Sequence, residues 1–134
     1  PPVPDDGVPS LKAQIADTTK TPEERIQALL QLRTTASKER AALVDSVALM
    51  IETSESADVR ANAIRHMHGV DSPRLKQAVL LALTKDADAR VREQAAKDLD
   101  TWRRDADVAA ALEAAKIADT SEKVRRRASD TLSK

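Results

Sequence analysis

Apolar side chains recur at helical spacing in four segments of this chain. In the third segment, Val91, Ala95 and Leu99 follow one another at steps of four and Trp102 follows at a step of three, with mostly polar residues between them. That spacing places all four along one side of a helix. The pattern returns at intervals of 35, 32 and 33 residues, in segments that begin at Glu24, Val59, Val91 and Val124. The chain therefore predicts four copies of one amphipathic helix.

A residue that can cap a helix stands three positions before each of these starts. Its side-chain oxygen can accept a hydrogen bond from a free amide of the first helical turn. The four capping residues are Thr21, Ser56, Asp88 and Ser121. Pro22 and Glu24 follow the first of them at the spacing of a capping box. We expect helices to start there and to bury the stripe Val59, Ala63, Met67, Val91, Ala95, Leu99, Val124, Ala128 and Leu132.

Further helical segments alternate with these copies, at residues 11–17, 37–52, 72–83 and 105–119. Two stretches within them, 41–51 and 75–83, are apolar around most of their circumference and must pack on more than one side. We therefore predict eight helices in four antiparallel pairs. One pair cannot bury its apolar face alone, whereas stacked pairs share a continuous core. The predicted fold is an all-α solenoid.

The phase of the repeats sets the domain organisation. Residues 11–134 are predicted to form one repeat domain, with repeats at approximately 11–35, 36–69, 70–102 and 103–134. The first ten residues contain four Pro, a Gly and two Asp, which do not suit a helix. We interpret residues 1–10 as a Pro-rich linker to a larger polypeptide, with a flexible terminus as the alternative.

Composition narrows the classes of function. The 22 Lys and Arg balance 22 Asp and Glu, so net charge gives no general reason to bind nucleic acid or an anionic membrane. The absence of Cys excludes disulfides, thiolate metal sites and a Cys nucleophile. With a single Trp and no Phe or Tyr, the core must consist of Leu, Val, Ile and much Ala. The longest charge-free apolar stretch, around 78–84, is far shorter than a membrane span, so we expect no membrane insertion.

An arginine at one fixed position in every repeat carries a resemblance to a known family. These arginines are Arg25, Arg60, Arg92 and Arg125. The positions six residues before them hold Thr19, Ser54, Asp86 and Asp119, two of which are acidic. Together with the repeat length of about thirty residues, this pattern resembles HEAT repeats, particularly the short bacterial forms of the PBS-lyase type.

The resemblance covers roughly residues 11–134 and implies a right-handed superhelix of helix pairs. It also implies that the Arg-bearing second helices line the concave side and that the protein is a scaffold that holds a partner there. We expect each arginine to bond the turn acid or the turn carbonyls of its own or an adjacent repeat, so that the arginines form a structural ladder. Arg92 should then contact Asp86, and Arg125 should contact Asp119, directly or within the same turn. The alternative for the same arginines is a column that binds phosphates.

Polar residues occupy the third and seventh positions after the Val position of each second helix. Both positions lie off the apolar stripe. The third positions are Gln27, Asn62, Gln94 and Arg127, and the seventh positions are Gln31, His66, Asp98 and Thr131. Amides and mixed charges suit hydrogen bonding to a protein or peptide, whereas a phosphate groove would be uniformly basic. We hypothesise that a protein or peptide partner docks across these two columns.

Two other classes of function stay open as alternatives. The basic run 125–127, with Lys123, Arg103 and Arg104 nearby, could bind nucleic acid, although neighbouring acidic residues dilute its charge. The chain could also be an accessory region of an enzyme whose catalytic part lies elsewhere. Trp102 continues an apolar stripe, so we expect it to pack at the end of its helix rather than to anchor a partner.

The sequence predicts no catalytic centre, metal site or cofactor. His66 and His68 are two residues apart on a helix and point to nearly opposite sides, so they cannot chelate one ion together. The Ser and Thr residues cluster at caps and turns, without a nucleophile–base–acid set or a phosphate-binding Gly loop. We predict a non-enzymatic protein-interaction module that acts as a monomer.

Overall fold

The computed structural model describes residues 10–134, and this part of the chain contains nine α-helices and no strand. Of the predicted linker 1–10, only Ser10 lies within the described residues, where it caps the first helix. The helices are α1 (Leu11–Ala16), α2 (Pro22–Leu30), α3 (Ser37–Ala41), α4 (Val44–Thr53), α5 (Ala57–His66), α6 (Pro73–Lys85), α7 (Ala89–Asp98), α8 (Ala106–Ala118) and α9 (Glu122–Leu132). Short 3-10 turns at Gln31–Thr34 and Leu99–Trp102 extend α2 and α7.

Side-chain caps start the four second helices, α2, α5, α7 and α9. The hydroxyl of Thr21 accepts from the amide of Glu24, whose carboxylate accepts from the amide of Thr21 in return, which completes the predicted capping box. Ser56, Asp88 and Ser121 accept from amides in the first turns of the other three. All four predicted starts are confirmed.

The helices form two layers. The second helices pack side by side in chain order, and the first helices, α1, α4, α6 and α8, form a parallel layer behind them. Each first helix also packs on the second helix that follows it. The main helix–helix contacts thus lie within one repeat or between adjacent repeats, and the predicted all-α helical solenoid is confirmed.

The core follows the predicted stripe. Leu132, in the last helix, is half-buried. The other eight members are fully buried: Val59, Ala63, Met67, Val91, Ala95, Leu99, Val124 and Ala128. Alanine recurs at the middle stripe position of every second helix, where a small side chain allows neighbouring helices to approach closely. Trp102 is buried as expected, and its indole Nε1 donates to Asp71 Oδ1 at 2.8 Å.

One predicted element is wrong. Residues 37–52 were expected to form a single helix, but they form α3 and α4, separated by Ala42 and Leu43. Leu43 has φ −99° and ψ 1°, outside the helical region, and this turn buries both Leu43 and Val44. The break falls between the exposed residues 37–39 and the buried start of α4.

Two leucines of α6 test how the first helices are buried. Leu83 is 2% exposed and Leu81, two residues earlier, is 46% exposed. We expect Leu83→Ala to lower the free energy of unfolding by about 2–5 kcal/mol, because it leaves a cavity in the core. Leu81→Ala should change the same quantity by about 0.5 kcal/mol or less. Urea denaturation followed by circular dichroism measures both, and equal losses would contradict the layer assignment.

Candidate functional site

Three of the ladder arginines donate a hydrogen bond to a backbone carbonyl of their own repeat. Nη1 of Arg92 donates to the carbonyl oxygen of Asp86 at 2.9 Å, and Nη1 of Arg125 donates to the carbonyl oxygen of Asp119 at 2.7 Å. Arg60 makes the same bond, 2.8 Å long, to the carbonyl oxygen of Ser54. In each case the acceptor lies six residues earlier. Because the acceptor is a backbone carbonyl, this bond does not require an acidic residue there.

The carboxylate groups bind the arginine of the preceding repeat, whereas the arginine six residues later in the same repeat binds the backbone carbonyl. Asp86 receives Nε and Nη2 of Arg60, at 2.8 and 3.1 Å, from the preceding repeat. Asp119 likewise receives Nε and Nη2 of Arg92, at 3.0 and 3.3 Å. These are bidentate pairs, in which two parallel N–H groups fit one carboxylate. Each pair joins one repeat to the next, and its guanidinium is occupied rather than turned out to receive a phosphate.

The first repeat departs from this scheme. Helix α1 ends with Asp17 as its C-cap, the place that Asp86 and Asp119 hold at the ends of α6 and α8. The equivalent turn residue is therefore Asp17 rather than Thr19, because the first turn is two residues longer. Arg25 donates from Nη2 to the carbonyl oxygen of Ile15 at 3.3 Å, and its Nε is buried without a hydrogen-bond partner.

The predicted third-position column is accessible at least in part. Gln27 and Arg127 are exposed, and Asn62 and Gln94 are half-buried. The amide of Asn62 donates to the carbonyl oxygen of Asp58 in its own helix at 2.8 Å. Nε of Arg127 donates to Glu93 in the preceding repeat at 3.3 Å. These side chains are therefore held in defined positions on the surface of the second helices.

Most of the predicted seventh-position column is not available to a partner, which corrects the sequence-based expectation. Gln31 is exposed, but His66, Asp98 and Thr131 are only 8%, 6% and 1% exposed. The hydroxyl of Thr131 donates to the carbonyl oxygen of Ala96 on the preceding second helix, at 2.8 Å. The seventh position therefore faces a neighbouring helix, because the second helices pack closely along their length.

Asp98 lies at the edge of a polar cavity of about 370 Å³ between the ends of α5 and α7, here called the Asp98 cavity. Gln94 Nε2 donates to its Oδ2 at 2.8 Å. Burial raises the pKa of the Asp98 carboxyl, although this hydrogen bond opposes the shift. The same cavity is lined by Arg65 and Lys97, which sequence reasoning missed. Both occupy the sixth position after the Val of their helix. Because residues three positions apart lie on the same side of a helix, extending the third-position column by three residues would have found them.

A second carboxylate of the cavity is paired. Asp100 Oδ1 lies 2.8 Å from Nε2 of His68, and Oδ2 accepts from Nζ of Lys134 at 3.1 Å. Partial burial acts to raise the pKa of Asp100, but the hydrogen bonds from His68 and Lys134 together outweigh it and lower the pKa. The cavity thus holds fixed charges of both signs.

The basic residues near the C-terminal end are largely engaged by neighbours. Arg126 pairs with Glu122 at 2.9 Å, and Arg103 donates to the carbonyl oxygens of Asp100 and Lys134. Arg125 and Arg127 make the bonds described above. Within residues 10–134, no group of three or more His, Asp or Glu side chains could hold a metal ion. None of the described helices is long and apolar enough to cross a membrane.

The stacked pairs, the shared core and the arginines that join consecutive turns define a helical-repeat protein of the solenoid class. The family model for HEAT repeats matches residues 44–133, more than half of the chain. The chain therefore belongs to the HEAT-repeat family, as its sequence pattern predicted. Neither a curated protein nor a solved structure matches it.

The inter-repeat pairs should matter for stability. Arg92→Ala leaves the carboxylate of Asp119 buried without its cation, so we expect the free energy of unfolding to fall by about 3 kcal/mol. Asp119→Ala should cost a similar amount, and the double variant should cost little more than either single one. Arg90→Ala is the control, because the ion pairs of Arg90 are exposed and such pairs contribute about 0–1 kcal/mol. Additive losses in chemical denaturation would show that the two groups do not act together.

Asp98 should make stability depend on pH. Its pKa in the folded protein lies above the ordinary value of 3.8, so burial of the charged form costs stability above the folded pKa. Asp98→Asn removes that charge and should raise the melting temperature at pH 8. The gain should shrink as the pH falls through the folded pKa and be absent below 3.8. Asp130→Asn, the same change at an exposed position of α9, should have little effect at any pH. A gain from Asp98→Asn that does not vary with pH would contradict this account.

Proposed function

We propose that this chain is a non-enzymatic protein-interaction or scaffold module that binds a protein or peptide across the solvent-exposed, concave face of its second helices. HEAT repeats generally mediate protein–protein interaction or scaffolding, and the chain belongs to that family. The observation that carries the proposal is the Asp98 cavity, which opens on the second helices and brings together side chains from three repeats.

The docking surface proposed here differs from the two predicted columns. We define the second-helix face by its accessible residues, Gln27, Arg65, Gln94, Lys97 and Arg127. His66 and Thr131 are excluded as contacts by their burial, and Asp98 contributes only through its cavity. A partner on this face meets amides and fixed charges that are already oriented by their neighbours, which lowers the entropy lost on binding.

The charge pattern favours a peptide or protein over a nucleic acid. Arg65 and Lys97 line the same cavity as the carboxylates of Asp98 and Asp100. A phosphate backbone is best matched by a uniformly basic groove, whereas a peptide that carries polar side chains of both kinds can match charges of both signs. We propose that this chain binds such a partner as a monomer.

Two exposed lysines give a matched test of this face. Lys97 lies on the second-helix face, and Lys116 lies on first helix α8. For a partner isolated with the unaltered chain, Lys97→Glu should raise the dissociation constant about tenfold or more. The change replaces a cation of the cavity by a carboxylate beside Asp98 and Asp100, so groups of the partner that paired with Lys97 are repelled. Lys116→Glu should leave the constant unchanged. Isothermal titration with both variants measures this.

The reverse pattern, loss of binding with Lys116→Glu alone, would move the docking surface to the first helices. A salt-sensitive anisotropy change with duplex DNA or RNA, abolished by Arg126→Glu and Lys123→Glu, would instead support nucleic-acid binding, since phosphate contacts release counterions. Light scattering on the same samples measures the molar mass and so tests whether the chain is a monomer.

A further inference from the structure

At the junction between the first and second repeats, the arginine of the ladder has no described aspartate to pair with. Arg60 and Arg92 each bind the aspartate that ends the first helix of the next repeat. For Arg25, the corresponding residue is Ser54, the C-cap of α4. No described carboxylate lies within ion-pair distance of Arg25, and its Nε is buried without an acceptor. A buried donor of a charged group left without an acceptor is costly.

Ser54 keeps the turn but not the charge. Its hydroxyl oxygen accepts from the amide of Ser56 at 3.3 Å, as Asp86 Oδ1 accepts from the amide of Asp88 at 2.9 Å. The local backbone role of the aspartate is therefore preserved. A serine is shorter and neutral. The space that the carboxylate groups of Asp86 and Asp119 fill at the ends of α6 and α8 is therefore left open at the end of α4.

That space is a cavity of about 320 Å³, here called the Arg25 cavity. It is lined by Thr18, Lys20, Arg25, Ser54, Glu55 and Ser56, among others. A water molecule takes about 30 Å³ of liquid, so the cavity has room for a small organic anion together with its hydration. Two cations and one carboxylate give the lining a net charge of one positive unit. Asp17, the acid of the nearest turn, uses its Oδ1 on the amide and hydroxyl of Thr19.

We propose that the Arg25 cavity is an anion site that binds a single carboxylate group, held by Arg25 and Lys20 where Asp86 and Asp119 place theirs in the following repeats. The planar fork of a guanidinium matches a carboxylate with two parallel hydrogen bonds. Because Nε of Arg25 is covered, its side chain must rotate slightly to present both N–H groups. Glu55 disfavours a doubly charged group, so a monoanion fits better than a phosphate dianion. The site lies apart from the second-helix face and does not depend on a partner there.

The carboxylate could belong to a free small molecule or to an acidic side chain of another protein, and two probes distinguish these sources. Sodium acetate represents the free anion, and the blocked peptide acetyl-Ala-Glu-Ala-amide represents the side chain, with the Gln peptide as its neutral control. Each is added to the whole chain at constant ionic strength against sodium chloride. The readouts are the melting temperature and the ¹H–¹⁵N signal of the Arg25 side chain.

Ser54→Asp supplies the carboxylate from within the chain and is the decisive variant. We expect it to raise the melting temperature by about 4 °C or more without any added anion, since it completes the ladder. The parent should show a saturable rise with acetate, with the Glu peptide, or with both, and a shift of the Arg25 Nε signal. Ser54→Asp and Arg25→Gln should both abolish these responses.

Each outcome decides the proposal. A response to acetate as strong as that to the Glu peptide identifies a small-molecule source, and a response to the peptide alone identifies an acidic partner side chain. If neither probe does more than sodium chloride in the parent, the site does not bind carboxylates and the proposal is overturned. A response that persists unchanged in Ser54→Asp would also overturn it, because the anion would then bind elsewhere.

Discussion

The bidentate contact between an arginine of one repeat and an aspartate of the next fixes how the helix pairs stack. Arg92 bonds both to the carbonyl of its own turn and to Asp119, and Asp119 also accepts from the amide of Ser121. Four hydrogen bonds thus fix the relative position of two turns, because the guanidinium–carboxylate contact supplies two of them. A repeat displaced along its neighbour would leave a partly buried charge unpaired, at a cost of several kcal/mol. The pair therefore specifies the register of stacking more than it adds to net stability.

Close stacking in turn decides what the surface can offer. With alanine at the centre of each second helix, these helices approach closely, and the seventh-position side chains after the first repeat are buried. Thr131 donates its hydroxyl to a carbonyl oxygen of the neighbouring helix. Asp98 is buried in the same way but keeps its carboxylate at a cavity. The accessible surface of the second helices is consequently polar, which suits recognition by oriented hydrogen bonds rather than by a large apolar patch.

Local features of the chain were predictable, and features that depend on neighbouring repeats were not. Caps such as Ser56 and stripes such as Val91 and Ala95 act within a single helix, so their spacing was enough to predict them. The contact between Arg92 and Asp86 followed from their separation of six, but the sequence gives no measure of how the preceding repeat lies across the turn, so it did not show that the carboxylate of Asp86 pairs with Arg60. The break at Leu43 and the burial of Asp98 likewise arise from packing, which acts through three-dimensional neighbours and leaves no periodic signal.

The short reach of these bonds bears on how the chain acquires its structure. The bond from Thr131 to Ala96 spans 35 residues, and no side-chain hydrogen bond of the described residues spans more. Loops of that size close at small entropic cost, and folds built from such contacts form quickly. The polarity of the ladder adds an order to the process. Arg60 meets Asp86 only after the following turn has left the ribosome, so during synthesis the contact that joins two repeats forms only when the later one emerges.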